Sequence, residues 1–250
     1  MKKAIASTLV PMCALLLVMC VCATSLLTDT ADTLTGYILT DYESAVKQDS
    51  TQNEGKTVII DAGHGGEDPG AVGLSGTLEK ELNLEISKLL KETLTLCGFT
   101  VVMTREEDVL LDGADDGTSK KNRDLRNRLQ FTKDYPEAVF ISIHMNKFSL
   151  ESCSGLQVYY SGNHPESESL AETVRLTVKQ RIAPGNNRQI KKATSSIYIL
   201  HRSEIPSILI ECGFLSNAAE EARLNDVKYR RELAFAICNA VISCYGQTKE

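Results

Sequence analysis

The feature that most constrains the fold is a set of short, continuous apolar runs separated by longer segments with helical periodicity. The clearest runs are TVIID (57–61), VFISIH (139–144) and SILIEC (207–212). Strands of a parallel sheet are buried on both faces and have this composition. Between the runs, apolar residues recur at the three- and four-residue spacing of one helix face. This alternation predicts an α/β fold.

The predicted elements fill the chain from residue 56 onward. Further strands are expected at 99–104, 155–160 and 196–200, which gives a sheet of about six strands. Helices are expected at 79–96, 125–133, 167–182 and 228–245, with a charged, glycine-containing loop at 106–123. We therefore predict a single α/β domain over 56–247, in which helices cover both faces of a largely parallel or mixed central sheet.

The N-terminal segment has a different character. After Lys2 and Lys3, residues 4–27 carry no charge, and they include the strongly apolar stretch ALLLVMCVCA. A basic start followed by an apolar core is typical of an export signal, and the segment is also long enough for a membrane anchor. We predict a cleaved signal peptide or a retained anchor at 1–27 and a polar linker at 28–55. Both alternatives place the remainder outside the membrane.

Charge and cysteine usage exclude some classes of function. The net charge is −6, and an acidic chain is a poor partner for nucleic acid. Three of the eight cysteines lie in the N-terminal segment, and no CxxC spacing occurs among the others. We expect core or partly buried thiols, and one disulfide bridge is left open. Cys212 follows Glu211 within a strand, so its side chain should point to the opposite face.

Three core strands end close to a titratable residue. The first runs into His64, the second ends at His144 and the last ends at Glu211, while Glu79 opens the helix that follows the first strand. In open α/β sheets, ligands bind beyond the carboxyl ends of parallel strands. If these strands are parallel, the two imidazoles and the two carboxylates converge at one edge of the sheet.

Such a set of side chains suits a hydrolytic metal site. Two imidazoles and one carboxylate are a common zinc ligand set, and a second carboxylate can accept the proton of the attacking water. Mononuclear iron uses the same ligands and stays open as an alternative. A phosphate-binding loop is disfavoured, because GxGxxG and the P-loop ending are absent. Taken alone, Glu79 would also suit the start of a helix, where a carboxylate interacts favourably with the helix dipole. Glu211 lies within an apolar run, so its carboxylate needs a metal ion or an ion pair. His164 is interpreted as a turn residue, and His201 is left undecided.

Five ordered motifs identify a family resemblance. The stretches are DAGHGGEDPGAVG (61–73), LEKELNLE (78–85), MTREED (103–108), FISIHMN (140–146) and ILIECGFLSN (208–217). In order and spacing they resemble the zinc-dependent N-acetylmuramoyl-L-alanine amidases of the amidase-3 type. The resemblance spans about residues 56–245.

The resemblance implies a role for each candidate residue. His64, Glu79 and His144 correspond to the zinc ligands, and Glu211 corresponds to the catalytic carboxylate. The implied reaction cleaves the amide between the lactyl group of N-acetylmuramic acid and the L-alanine of the peptidoglycan stem peptide. An inactive wall-binding domain of the same fold, or a metallopeptidase acting on another amide, remains the alternative.

The loop at 110–128 and the overall length look like the CwlD-type amidases of endospore formers. This likeness implies action on spore cortex, in the intermembrane space of the forespore, during preparation of muramic-δ-lactam for germination. An acidic enzyme on an anionic wall, with no room for a wall-binding module, suggests a protein partner that localises or activates it.

Overall fold

The structure, a computed structural model, describes residues 55–246. The expected signal or anchor at 1–27 lies outside the described residues, and so does the expected linker apart from Gly55. Among the helices of the described range, none combines the length and the apolar character needed to cross a membrane.

Six strands and six helices follow one another within residues 55–246. The strands are β1 (Thr57–Ala62), β2 (Thr100–Met103), β3 (Val139–Asn146), β4 (Gln157–Tyr160), β5 (Lys191–Lys192) and β6 (Ser207–Phe214). The helices are α1 (Glu79–Leu96), α2 (Lys120–Asp134), α3 (Glu166–Arg181), α4 (Tyr198–Arg202), α5 (Ala218–Asn225) and α6 (Val227–Tyr245).

The six strands form one mixed sheet in the order β2-β1-β3-β6-β4-β5. Neighbouring strands are parallel among the first four of this order, which are β2, β1, β3 and β6. Strand β4 runs antiparallel to β6 and pairs in parallel with β5. The predicted α/β fold with a largely parallel sheet is therefore confirmed. Because β1, β3 and β6 run in the same direction, their carboxyl ends lie at the same edge of the sheet.

Each face of the sheet carries its own apolar core. The larger core packs α1, α3 and α6 against one face, which includes Ile60, Ile143 and Ile210. The smaller core packs α2 and α4 against the other face, around Phe140 and Leu209. Side chains alternate between faces along a strand. On the face of the smaller core, the residues nearest the carboxyl ends of β1, β3 and β6 are polar. The candidate site forms on this face.

One predicted strand is wrong. SIYIL (196–200) is not a strand, because its second half begins the short helix α4, in which the neighbouring Ile199 and Leu200 are both buried. A short apolar run cannot be assigned to a strand or a buried helix from periodicity alone. The sixth strand is instead the two-residue β5 at the far edge of the sheet.

Two further differences come from helix caps. Helix α2 begins at Lys120 rather than at residue 125, because the Ser119 side chain accepts a hydrogen bond from the Asn122 amide and caps the helix there. The predicted loop at 106–123 is correspondingly shorter. Helix α5 was not predicted, and the Asn217 side chain caps it by accepting bonds from two backbone amides.

The cysteines follow the expected pattern in the described range. Cys212 is buried in the larger core, on the face opposite Glu211, and burial raises the pKa of its thiol far above the usual value. A core role therefore fits Cys212 better than a nucleophilic one. The open question of a disulfide bridge concerns Cys97 and Cys238, because their sulfur atoms lie 3.9 Å apart.

Candidate metal centre

The loop after β1 is shaped by close contacts with other candidate residues. A Cβ atom at Gly63 would lie 2.2 Å from Cε1 of His144, and one at Gly70 would lie 2.5 Å from Oε2 of Glu79. His64 itself adopts a φ of 61°, in the left-handed region that non-glycine residues rarely occupy. The glycines therefore let the backbone pack directly onto His144 and Glu79, and the strained His64 backbone needs support from elsewhere.

Two arginines supply this support. Arg128 donates hydrogen bonds to the carbonyl oxygens of Ala62 (2.8 Å) and His64 (2.6 Å). Arg105 donates to the carbonyl oxygens of Ala62 (2.8 Å) and Gly63 (3.0 Å). Three successive carbonyl groups are thus fixed by two buried guanidinium groups.

The charge of Arg128 is balanced by two buried carboxylates. Its guanidinium lies 2.7 Å from Oδ1 of Asp61 and 2.8 Å from Oδ2 of Asp124. Asp61 also accepts hydrogen bonds from the hydroxyl groups of Thr104 and Ser142. Burial acts to raise the pKa of Asp61, but the Arg128 charge and these bonds outweigh it and lower the pKa. Asp61 therefore stays ionised.

Three of the predicted site residues meet beside this loop. Oε1 of Glu79 lies 2.9 Å from Nδ1 of His144 and 3.3 Å from Nε2 of His64. The two imidazole rings pack edge to face with centroids 5.0 Å apart. One potential ligand atom from each of the three residues lies within 4.8 Å of the other two. The predicted convergence is therefore observed for His64, Glu79 and His144.

Backbone groups hold Glu79 in place at the start of α1. Its Oε2 accepts a hydrogen bond from the Ala71 amide at 2.7 Å, and its Oε1 accepts one from the Met145 amide at 3.0 Å. Burial acts to raise the pKa of Glu79, but the bonds and charges of His144 and His64 lower it far below the usual range. The carboxylate is therefore ionised.

Asp68 orients His64 and was missed by sequence reasoning. Its Oδ2 lies 2.8 Å from Nδ1 of His64, so Nε2 is the nitrogen directed towards Glu79. Burial disfavours a charged imidazole, yet Glu79 and Asp68 together raise the pKa of His64 to about 9. The available clue was a carboxylate four residues after the histidine in HGGED. A carboxylate on the far nitrogen is common for metal-binding histidines.

Glu211 lies beside this group without a partner for one oxygen. It is paired with His144 in the register of β3 and β6. Its Oε2 is buried, and among the described residues nothing hydrogen-bonds to it. Burial raises the pKa of Glu211 to about 7, and the nearby histidine charges offset this only partly. Of the two alternatives for Glu211, a metal site or an ion pair, no ion pair is observed within residues 55–246, and the metal site stays open.

The remaining histidines lie elsewhere. His164 accepts a hydrogen bond from the Glu166 amide at the start of α3, as expected of a turn residue. His201 is exposed on α4. The phosphate-loop alternative also loses support, because acceptors in the protein already occupy the loop amides of Gly63, Gly65, Gly66 and Gly70.

The donor set of the three converging residues fits a divalent metal ion. Two imidazole nitrogens and one carboxylate oxygen are ligands that zinc and non-heme iron both accept. An α/β domain with this set at the carboxyl edge of its sheet, and a further carboxylate beside it, has the arrangement expected of a metal-dependent hydrolase.

Comparison with known proteins identifies the family of the chain. The N-acetylmuramoyl-L-alanine amidase family Amidase_3 matches residues 58–243, and the chain belongs to this family. The germination-specific N-acetylmuramoyl-L-alanine amidase of Bacillus subtilis (strain 168) is 34% identical over 197 residues, covering 77% of this chain and 81% of the relative.

Solved structures agree with this assignment. The CwlD amidase from Clostridioides difficile, solved in complex with the GerS lipoprotein, aligns with a TM-score of 0.72 and 37% identity. That alignment covers 76% of this chain and 98% of CwlD. The amidase AmiC2 of Nostoc punctiforme aligns with a TM-score of 0.65 and 34% identity, covering 75% of this chain and 96% of AmiC2. The chain is thus an N-acetylmuramoyl-L-alanine amidase by family.

Proposed function

We propose that the chain hydrolyses the amide between the lactyl group of N-acetylmuramic acid and the stem-peptide L-alanine, using zinc held by His64, Glu79 and His144. The observation that carries the proposal is the buried, unpartnered Oε2 of Glu211 beside these three residues. Zinc bound there supplies Lewis acidity that activates water and polarises the amide carbonyl. Glu211 accepts the proton of the attacking water and passes it to the departing amine.

The electrostatics of the site support both roles. The negative environment that favours a proton on His64 also favours a cation in its place, because metal binding displaces ligand protons. A carboxylate with a pKa of about 7 can accept and return a proton near neutral pH, as a general acid–base group requires. The ligand role and the proton-transfer role therefore fall on different carboxylates.

The activity is tested by digesting peptidoglycan with the zinc-loaded chain and analysing the products. We expect new L-alanine amino termini and no cleavage inside the stem peptide. Chelation should abolish the reaction and added zinc should restore it. The His144→Ala variant should lose both zinc and activity. Cleavage within the stem peptide would favour a metallopeptidase, and intact muropeptides would favour an inactive wall-binding domain.

We further infer a role in spore cortex maturation for muramic-δ-lactam formation and germination. The names of the Bacillus subtilis and Clostridioides difficile relatives support this inference. A spore-forming strain that lacks its own cortex amidase provides the test. The wild-type chain should restore muramic-δ-lactam and germination, whereas the Glu211→Ala variant should restore neither.

Location and partner follow from the same inference. We propose that residues 1–27 export or anchor the chain, that 28–55 form a linker, and that 56–247 act at the extracytoplasmic face of the membrane. The complex of CwlD with a lipoprotein supports a localising or activating partner for this chain as well. Full activity and wall binding by the purified chain alone would contradict the need for a partner.

A further inference from the structure

Strands β4 and β5 form the edge of the sheet next to the strand that carries Glu211. In the antiparallel register of β4 and β6, Gln157 pairs with Glu211 and Tyr159 pairs with Leu209. Paired residues point to the same face, so Gln157 and Tyr159 share the face of Glu211. A cavity of about 280 Å³ opens there, lined by Asn146, Gln157, Tyr159, Arg188, Lys191 and Phe214, among others.

Two cations line this cavity although the chain as a whole is acidic. The guanidinium of Arg188 lies 4.5 Å from the centre of the Phe214 ring, and the ammonium of Lys191 lies 6.0 Å from that of Tyr159. Neither cation forms an ion pair with a carboxylate of the described residues. By contrast, Arg128 of α2, which holds the loop after β1, pairs with Asp61 and Asp124. Arg188 and Lys191 therefore offer positive charge that no acid of residues 55–246 neutralises.

Arg188 is also held in a defined position. Its Nε donates a hydrogen bond to the carbonyl oxygen of Ser154 at 2.6 Å. Gln189 follows Arg188 in the chain, and its carbonyl oxygen accepts a hydrogen bond from the buried Gln157 side chain. An arginine stacked on an aromatic ring and fixed at one nitrogen presents its remaining N–H groups as a preorganised fork for a carboxylate.

Tyr159 connects these cations with the site. Burial and the Glu211 charge raise the pKa of its phenol, while the Arg188 charge opposes them, so its ring is under the influence of both groups. A ligand that extends from Glu211 along β4 reaches the cations past Tyr159. Tyr159 lies two residues along β4 from Gln157, the register partner of Glu211, so the cavity is lined by the strand next to Glu211.

We propose that Arg188 and Lys191 form a subsite that binds a carboxylate of the stem peptide on the leaving side of the scissile amide. The proposal rests on the proposed amidase function and adds a specificity determinant to it. Stem peptides carry free carboxylates beyond their L-alanine, and these are the anionic groups of the substrate nearest to the reacting bond. The subsite accounts for a preorganised basic pair in an acidic protein, in a cavity lined by the strand next to Glu211.

Edge-strand protection is the competing explanation for the lysine. Exposed lysines on edge strands discourage pairing between molecules, and both Lys191 and Lys192 lie in β5. The side chains of Lys191 and Lys192 have different surroundings, however. Lys192 packs over Gly162, where an added Cβ would lie 2.0 Å from its Cε, and it does not line the cavity. Lys192 is therefore a matched control with the same edge position and charge.

The test compares two muramoyl peptides that differ only at the residue after L-alanine, which carries either a free carboxylate or the carboxamide. With the zinc-loaded full chain, we expect kcat/KM to favour the carboxylate about tenfold, mainly through KM. Arg188→Gln should abolish this preference and Lys191→Gln should reduce it, while Arg188→Lys should keep part of it. Lys192→Gln should leave it unchanged.

Binding provides a readout that does not depend on turnover. Calorimetric titration of wild type with the two corresponding free L-alanyl peptides should show the same tenfold preference, and Arg188→Gln should remove it. Equal binding of acid and amide by wild type, or equal losses on both substrates in Arg188→Gln, would overturn the subsite. If neither substrate is cleaved, the proposed function fails, and the titration still decides the subsite.

Discussion

Two clusters of titratable and charged residues lie side by side at the carboxyl edge of the sheet. The loop-anchoring cluster contains Asp61, Asp124 and Arg128, and each of its charges is paired. The metal-site cluster contains His64, Glu79, His144 and Glu211, and one oxygen of Glu211 has no hydrogen-bond partner in the described residues. The first cluster is fully buried, whereas His64, His144 and Glu211 of the second are only partly buried. The difference is that every charge of the first is paired among the described residues, whereas the second leaves one carboxylate oxygen without a partner there.

This difference assigns a task to each cluster. A complete network of buried charges fixes geometry, because each group is held by the others. An incomplete one carries a cost in stability, which proteins accept at functional sites. The two clusters are joined through the backbone, since Arg128 holds the carbonyl oxygen of His64. The loop-anchoring cluster therefore positions a ligand of the metal-site cluster.

The largest effect on stability is expected from breaking the loop-anchoring cluster. Arg128→Met leaves Asp61 and Asp124 buried without their cation, and breaking a buried pair in this way costs about 3–5 kcal/mol. Denaturant unfolding of the metal-free protein measures the change. Arg126→Met, at an exposed position of the same helix, should leave the free energy of unfolding nearly unchanged. Equal free energies of unfolding for the two variants would show that the buried ion pairs of Arg128 do not stabilise the fold.

A smaller effect is expected where a carboxylate orients a metal ligand. Asp68→Asn weakens the hold on Nδ1 of His64 without removing a ligand, and such changes typically cost about 10- to 100-fold in metal affinity. Competition with a fluorescent chelator measures the zinc dissociation constant. The adjacent Glu67 is exposed and pairs with Lys120, so Glu67→Gln serves as the control. An unchanged affinity in Asp68→Asn would remove Asp68 from the site.

The smallest effect separates two glycines with similar backbones. Gly70 and Gly76 both have positive φ, and this backbone conformation alone should make alanine cost each about 1 kcal/mol of stability. Only at Gly70 would the added Cβ meet Glu79 and His64, whereas open space surrounds it at Gly76. We expect Gly70→Ala also to weaken zinc binding and Gly76→Ala to leave it unchanged. Parallel chelator competition and unfolding experiments distinguish the two.

Sequence patterns predict the part of this comparison that depends on strand ends. Apolar runs placed β1, β3 and β6, and the residues that close them brought His64, His144 and Glu211 to one edge. Patterns do not predict which distant residues pair with one another. Arg128 lies 67 positions from Asp61, on a helix whose sequence gives no sign of a buried charge. Patterns also failed at the smaller core. There the neighbouring Ile199 and Leu200 are both buried within a short helix, although their apolar run suggested a strand.

The central claim is that the unpartnered carboxylate does chemistry and does not hold the fold or the metal. Glu211→Gln tests it by measuring zinc content, unfolding free energy and peptidoglycan hydrolysis on one preparation. We predict that zinc is retained, that stability is not lowered because no buried charge loses a partner, and that kcat/KM falls about 10²- to 10⁴-fold. Loss of zinc, or a destabilisation like that of Arg128→Met, would contradict the claim.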